Sequence, residues 1–500
     1  MRISRIALTI SVVLSASAAF HTSANDSAWD KFVDDSSLNM KGRMSGIKMT
    51  PNNVKVDNQF NATTATGLLF QTGANEALFP GMTPQQVAGY LDTNPEVLAA
   101  VTKEVNTMLE DEVNKSGEVD QGGASLWLEF ESGYLFDVVG FDLGYQGGVK
   151  TWNNAEGTLI LKPNDDGYNR VSTARGKLRF GDDARHISAK HGLGVINRMH
   201  FGRDPDEYLL DKTYEGTEIN AKWDNYTLYG VTVTGIGEVT HSEIKRAEDF
   251  AHFRKAGFKH TNSMGFEYKS DYGQLKLAHT WSNNYMNTTS VKANTGLPIA
   301  WLGADIAPEA EFDYLLLFQI NYNLQAAKED FVTKYGVEMP NHDSTNYEVM
   351  FGAQLDNVFM AASLNQVGDN GFYKTGTGSG GSSDNLVGLS LINDYDLPGQ
   401  TTYTFVTSYN GRDMNLPGLD ISAIVLHSRN IDMDAVLASG NIDYYLTGDP
   451  EFTETLFETR YSIQEGMLEG LSFRGVMGYE SNQANLLGYA MWIEYNRALF

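Results

Sequence analysis

The chain has 500 residues, a formal net charge of −26 and no cysteine. The lack of cysteine excludes a disulfide framework and thiolate catalysis, and the acidic balance argues against a nucleic-acid-binding protein. Glycine (49 residues), tyrosine (25) and phenylalanine (25) are abundant, which suits pleated strands, aromatic girdles and tight turns. Composition therefore leaves two classes open, a membrane β-barrel and an acidic secreted all-β domain.

The N-terminus has the features of a secretory signal peptide. Arg2 and Arg5 precede an apolar stretch that is too short and too rich in serine for a membrane-spanning helix. Cleavage is predicted after Ala24, with Ala18 and Ala19 as alternatives. The chain is therefore expected to be exported and shortened.

After removal of the signal peptide, residues 1–24, the chain is predicted to form one domain, residues 25–500. No second run of 18 or more apolar residues follows, which argues against a helical membrane protein. The domain is instead predicted to be built from β-strands.

Alternating apolar and polar residues predict long β-strands. In residues 312–322 every second side chain is apolar or aromatic over eleven residues, which is about the length of a tilted membrane strand. Residues 174–180, 264–268 and 347–355 repeat the pattern. A soluble β-sandwich also alternates, but strands of about ten residues with aromatic side chains near their ends favour an antiparallel up-and-down membrane barrel.

One segment, residues 83–115, instead has the apolar spacing of a helix. Thr83–Pro84 is a good N-cap and first helical position, and Asn94–Pro95 is predicted to divide the segment into two helices. Because the segment lies between two strand patterns, it is predicted to be an insertion in a long loop. Such insertions are tolerated thermodynamically, so its excision is expected to leave the barrel intact.

Local signatures of enzymatic chemistry are absent from the sequence. There is no HExxH, GxSxG or Walker motif, and no GxGxxG after a strand. His186 and His191 are five residues apart, which in a strand places them on opposite faces. No catalytic residue, metal or cofactor is therefore predicted. An outer-membrane lipase or protease and an adhesive barrel with a filled interior remain as alternatives, although many strands leave an open lumen.

Five sequence blocks resemble the OprD family of outer-membrane porins. They are residues 32–43, Phe130–Tyr134 with Val139–Gly144, Thr213–Gly216, Pro417–Leu419, and Glu494–Tyr495 with Leu499–Phe500. The resemblance implies a barrel of eighteen strands in the outer membrane of a Gram-negative bacterium, with the helical insertion in the first outer loop. It also implies termini in the periplasm and inward-folded loops that narrow the pore.

The resemblance further implies a basic track along the pore wall. The candidate pore-lining residues are Arg43, Arg175, Lys177, Arg179, Tyr208, Arg429, Arg460 and Arg474. Most of the basic residues alternate with apolar neighbours and are expected to face the lumen, whereas the facing of Arg429 is ambiguous. Tyr208 stands where the family usually has an arginine.

Phe500 is similar to the terminal aromatic residue that the barrel assembly machinery reads in bacterial barrels. That machinery, outer-membrane lipid, lipopolysaccharide and small-molecule solutes are the expected partners, and nucleic acid is not.

The predicted function is passive, partly selective diffusion of small hydrophilic nutrients, carboxylates or amino acids. Two observations weaken the basic track: Tyr208 replaces an arginine, and Gly475 follows Arg474 where the family tends to continue with arginines. Lysine and arginine also number only 37 against 63 aspartates and glutamates. An oligosaccharide-selective porin, similar to a chitoporin, therefore remains an alternative.

Overall fold

The computed structural model describes part of the chain, and the account below is confined to that part. The described residues are 26–51, 59–116, 118–154, 167–201, 209–237, 244–246, 259–282, 286–296, 317–325, 343–369, 395, 397–432, 435, 451–481 and 486–500. The predicted signal peptide and its cleavage site at Ala24 lie outside these residues. Within them, no helix has the length and apolar character needed to cross a membrane.

The strands form one closed antiparallel sheet. In chain order they are β1 Ser37–Pro51, β2 Val119–Glu131, β3 Val139–Asn153, β4 Gly167–Gly181, β5 Arg185–Gly194, β6 Thr213–Trp223, β7 Tyr226–Gly237, β8 Ile244–Arg246, β9 Thr261–Ser270, β10 Gly273–Ser282, β11 Met286–Thr295, β12 Leu317–Gln325, β13 Asp343–Leu355, β14 Val358–Val367, β15 Thr401–Asn410, β16 Leu419–Arg429, β17 Phe452–Ser462, β18 Leu471–Ser481 and β19 Leu486–Ala498. Eighteen of these strands have nine residues or more, and β8 has three. Because each long strand pairs with its neighbours in sequence and β1 also pairs with β19, the predicted eighteen-stranded up-and-down barrel is confirmed.

The two ends of the barrel differ in their connections. At the end that we call the turn end, two-residue turns join β6 to β7 and β13 to β14, and Asp224 and Asp356 supply the left-handed backbone that these turns need (φ of 49° and 50°). The C-terminus lies at the same end, where the Leu38 amide donates to the Phe500 carbonyl (3.1 Å). The connection between β1 and β2 lies at the opposite end, the loop end.

The two faces of the barrel wall have the polarity that a membrane barrel requires. Large apolar side chains point outward and are exposed, as for Leu178 (42%), Phe180 (60%) and Phe351 (55%). The alternate residues of the same strands point inward and are mostly polar or charged, such as Arg175 and Lys177. An apolar outer band around a polar interior matches lipid outside and water inside.

Five helices accompany the barrel: α1 Asp26–Asp34, α2 Ala62–Thr72, α3 Asn75–Leu78, α4 Pro84–Thr93 and α5 Pro95–Ser116. The insertion predicted at residues 83–115 corresponds to α4 and α5. Thr83 caps α4 in a reciprocal capping box with Gln86. The insertion is longer than expected, because α2 and α3 precede it in the same connection between β1 and β2. We call α2 to α5 the helical unit.

The helical unit packs against the inward face of the barrel and is not a separable loop. Val87 and Leu91 of α4 are fully buried in an apolar core that also contains Ile424 and Leu426 of β16 and Leu456 of β17. These strand residues lie on the inward face, where an open pore would require polar side chains. The helical unit therefore covers part of the wall. That the barrel stays intact when residues 83–115 are excised remains a prediction.

Candidate solute pathway

The described residues of the connection between β5 and β6, 195–201 and 209–212, lie inside the barrel, and we call them the crossing segment. The His200 imidazole lies 2.7 Å from Thr280 Oγ1 on β10 and 2.6 Å from Ser290 Oγ on β11. Farther along, the Asp211 carbonyl accepts a hydrogen bond from Arg170 on β4. Because these anchors lie on separate parts of the wall, the described residues occupy two regions of the interior and narrow it.

Small residues in the wall make room for the crossing segment. A side-chain carbon on Gly123 of β2 would lie 2.3 Å from Leu209, which packs where that side chain would be. Ile196 and Phe201 pack with Tyr214 and the inward residues of β7 in a second apolar cluster. Tyr208 lies outside the described residues, so its proposed place in the pore stays a prediction.

Arg175 and Lys177 on β4 share one buried carboxylate. Arg175 Nε lies 2.8 Å from Asp142 Oδ2, and Lys177 Nζ lies 2.7 Å from Asp142 Oδ1. Both basic side chains lie on the face opposite the exposed Leu178, as the alternation predicted. The three groups carry a formal charge of two positive and one negative, so the cluster retains one positive charge.

Arg179, the third basic residue of this strand, contacts a different acid and an aromatic ring. Its Nη1 atom lies 2.8 Å from Asp183 Oδ1, and its guanidinium lies 4.4 Å from the centre of the Tyr134 ring. Lys177 Nζ lies 5.0 Å from the same ring. Burial raises the pKa of Tyr134, so its phenol stays neutral at physiological pH.

Two further clusters repeat the arrangement of two cations around one carboxylate. Arg43 on β1 pairs with Glu494 on β19, and Lys41 Nζ lies 3.4 Å from the same carboxylate. Arg474 on β18 makes a two-pronged contact with Glu458 on β17 (2.9 and 3.1 Å), and Arg460 Nη2 lies 3.6 Å from it. We call these two clusters and the Asp142 cluster the basic triads.

Arg198 in the crossing segment forms a cluster with the opposite ratio of charges, two carboxylates around one cation. Its guanidinium lies 2.9 Å from Glu218 on β6 and 3.2 Å from Glu267 on β9. Two carboxylates around one cation leave one negative charge, and we call this cluster the acidic triad. The basic triads lie on β17 to β19 and β1 to β4, and the acidic triad joins the crossing segment to β6 and β9. Lys190 on β5 lies between Lys177 and Glu218 in the sheet, so the Asp142 cluster and the acidic triad are neighbours.

Arg429 does not join the pathway. Its guanidinium lies 4.9 Å from the centre of the Tyr403 ring, and Tyr403 and Val425 are both 40% exposed on the outer face. Arg429 is four residues from Val425 and so shares its face. Arg429 was a candidate for the lumen, but the structure places it on the outer face at the loop end.

The residues that sequence reasoning missed are mainly the acidic partners. Asp142, Glu458 and Glu494 each sit opposite apolar neighbours in their strands, so the alternation that selected the basic residues could have selected them. Arg198 carried no such signal, because it lies in a connection. Within the described residues no cluster of three or more His, Cys, Asp or Glu side chains could hold a metal ion.

Comparison with known proteins gives a consistent result. The family model for outer membrane porins of the OprD family matches residues 103–486. Porin D of Pseudomonas aeruginosa is 23% identical over 392 residues, which cover 72% of this chain and 82% of that protein.

Solved structures show the same fold. The crystal structure of Pseudomonas aeruginosa OpdK with vanillate superposes with a TM-score of 0.64 at 15% identity, covering 93% of this chain and 100% of that one. A BenF-like porin from Pseudomonas fluorescens gives 0.63 at 14% identity, with 94% and 100% covered.

These relatives are channels and not enzymes, and OprD porins reside in the outer membrane of Gram-negative bacteria. The structural likeness supports the barrel, and the family model covers well over half of the chain. The sequence blocks that resemble the family, the closed barrel and the matched family model agree. The chain belongs to the OprD family of outer-membrane porins.

Proposed function

We propose that this porin passes small hydrophilic solutes that carry a carboxylate, with amino acids favoured. One observation carries the proposal: two cations share each of three carboxylates on the inward face. Each basic triad retains a positive charge, which attracts the carboxylate of a solute. The side chains are held by their shared acid, so they need little ordering when a solute arrives.

The acidic triad favours amino acids over simple carboxylates. Arg198 with Glu218 and Glu267 carries one formal negative charge, and these residues lie on the crossing segment, β6 and β9. A solute with separated ammonium and carboxylate groups can be attracted at both places, whereas a simple carboxylate is attracted only at the basic triads. The turn end, which holds the C-terminus, is assigned to the periplasm.

An oligosaccharide pathway has less support in the described residues. The inward rings of Trp127 and Trp492 are only 2% and 3% exposed, and each is covered by a cation. They cannot stack on a sugar as an exposed aromatic track would.

The experiment is planar-bilayer recording of the purified protein in a KCl gradient, followed by addition of alanine, acetate or maltotriose to one side. We expect channel steps, a reversal potential displaced toward that of chloride, and a current that alanine reduces more than acetate does. Absence of channel steps, or a reversal potential on the potassium side, would contradict the proposal. Block by maltotriose alone would support the oligosaccharide alternative instead.

A further inference from the structure

The turn between β2 and β3, residues 132–138, folds over the inward face of the barrel at the turn end. A side-chain carbon on Gly140 would lie 2.6 Å from the Gly133 carbonyl and 2.7 Å from Lys177 Cε. The Ser132 hydroxyl accepts from the Phe141 amide and donates to the Gly133 carbonyl (both 2.8 Å). The Gly133 carbonyl and the stem of Lys177 therefore both lie close to the backbone of Gly140, which has no room for a side chain.

This turn carries Tyr134, whose ring covers two cations of the pathway. Its centre lies 5.0 Å from Lys177 Nζ and 4.4 Å from the Arg179 guanidinium. An aromatic face stabilises a cation and also shields it from other anions. The position of the ring therefore affects how much of this positive charge a passing solute meets.

Helix α1, which precedes β1 in the chain, holds the turn in place. The Gly133 amide donates to Ser36 Oγ (2.9 Å), and Ser36 in turn donates to the Phe32 carbonyl at the end of α1 (2.7 Å). Lys31 of α1 forms an ion pair with Asp137. A side-chain carbon on Gly133 would lie 2.4 Å from the Phe32 carbonyl, so the helix and the turn are in close contact.

The turn needs such support because two of its residues adopt unfavourable backbone conformations. Phe136 and Asp137 have φ of 55° and 60°, in the left-handed region that costs free energy for residues other than glycine. An isolated turn of this sequence would relax toward other conformations. Its contacts with α1 oppose that relaxation.

We propose that α1 and the β2–β3 turn form a clamp that positions the Tyr134 ring over Lys177 and Arg179 and so sets how strongly these cations attract a carboxylate-bearing solute. Tyr134 and Gly133 are thus positioning residues for the selectivity of the pore. The inference rests on the proposed function. It extends that function to residues of α1 and of the turn between β2 and β3.

The test compares reversal potentials in a KCl gradient for four variants. Tyr134→Leu removes the ring, Gly133→Ala forces α1 away from the turn, and Ser36→Ala removes the acceptor of the Gly133 amide. Gly176→Ala is the matched control, because it lies on the outer face of β4 with no atom within 4 Å of an added side-chain carbon. Heat-modifiable migration on gels reports whether each variant folds.

Loss of the ring exposes the cations, so Tyr134→Leu is expected to raise the anion-to-cation permeability ratio about two- to fivefold. Gly133→Ala and Ser36→Ala should shift it in the same direction by less, and Gly176→Ala should match wild type. If Tyr134→Leu alone changes selectivity, or if none of the variants does, the clamp is refuted. If Gly133→Ala does not fold, Ser36→Ala decides the question. A wild-type protein without channel steps would refute the proposed function instead.

Discussion

Acidification should release the crossing segment from the wall through His200. The imidazole is 5% exposed and bridges Thr280 and Ser290, so in the docked state one ring nitrogen donates and the other accepts. Burial, and to a lesser degree the nearby His279, lowers the pKa of His200 from 6.5 to about 3. The docked state therefore requires the neutral ring.

The sign of the pH dependence follows from this lowered pKa. Between pH 6.5 and 3 the undocked imidazole binds a proton that the docked one does not, so docking is strongest above pH 6.5 and weakens as the pH falls. At pH 5 the loss amounts to about 2 kcal/mol, or roughly a thirtyfold decrease in the docking equilibrium constant. We expect larger conductance and more current fluctuation at pH 5 than at pH 7.5.

The assay is single-channel recording at both pH values for wild type, His200→Gln and His191→Gln. Glutamine can donate and accept at position 200 but does not titrate, so His200→Gln should lose the pH response. His191 lies on the outer face, where it contacts Thr217, and its replacement should leave the response unchanged. The same pH response in wild type and His200→Gln would refute the reasoning, as would a measured pKa of His200 near 6.5.

Three further predictions concern the basic residues, the helical unit and the C-terminus. Replacement of Arg175, Lys177 and Arg179 by Gln should move the reversal potential toward that of potassium, because Asp142 and Asp183 then lose their cations; Arg429→Gln, on the outer face, is the control and should have no effect. Excision of residues 83–115 should raise single-channel conductance and lower the melting temperature, because Ile424, Leu426 and Leu456 each lose up to about 1.5–3 kcal/mol of burial. An unchanged melting temperature would show that α4 and α5 add nothing to stability. Deletion of Phe500 should reduce the outer-membrane level with little effect on synthesis, as immunoblots of membrane fractions would show, and normal levels would contradict its role as the assembly signal.

The barrel could be predicted from sequence because each of its strands faces lipid on one side and the interior on the other. That difference imposes a period of two on segments such as residues 174–180, and the pattern needs no knowledge of neighbouring strands. The capping of α4 by Thr83 is equally local. Helix α2 was missed because its sequence, with several threonines and a glycine, has a low helical propensity, and packing against the barrel wall compensates for it.

The inward position of the acidic residues was open to prediction, but their pairing was not, because most partners lie on different strands. Arg43 and Glu494 are separated by 451 residues and meet only because the barrel closes between β1 and β19. The family resemblance makes Arg429 a candidate for the pathway, but a basic residue after a strand pattern does not reveal its face. Register fixes the face, and the register of β16 places Arg429 outside.

The sharing of carboxylates explains how an acidic protein can present a positive pathway. The net charge of −26 is spread over the whole chain, and salt screens a charge beyond about 8–10 Å. A solute in the lumen therefore responds to the charges of the nearest wall side chains and not to the net charge of the protein. If each cation had its own carboxylate, the local charge would be zero. One carboxylate between two cations keeps both of them fixed and leaves one positive charge, so stability of the wall and attraction of the solute do not oppose each other.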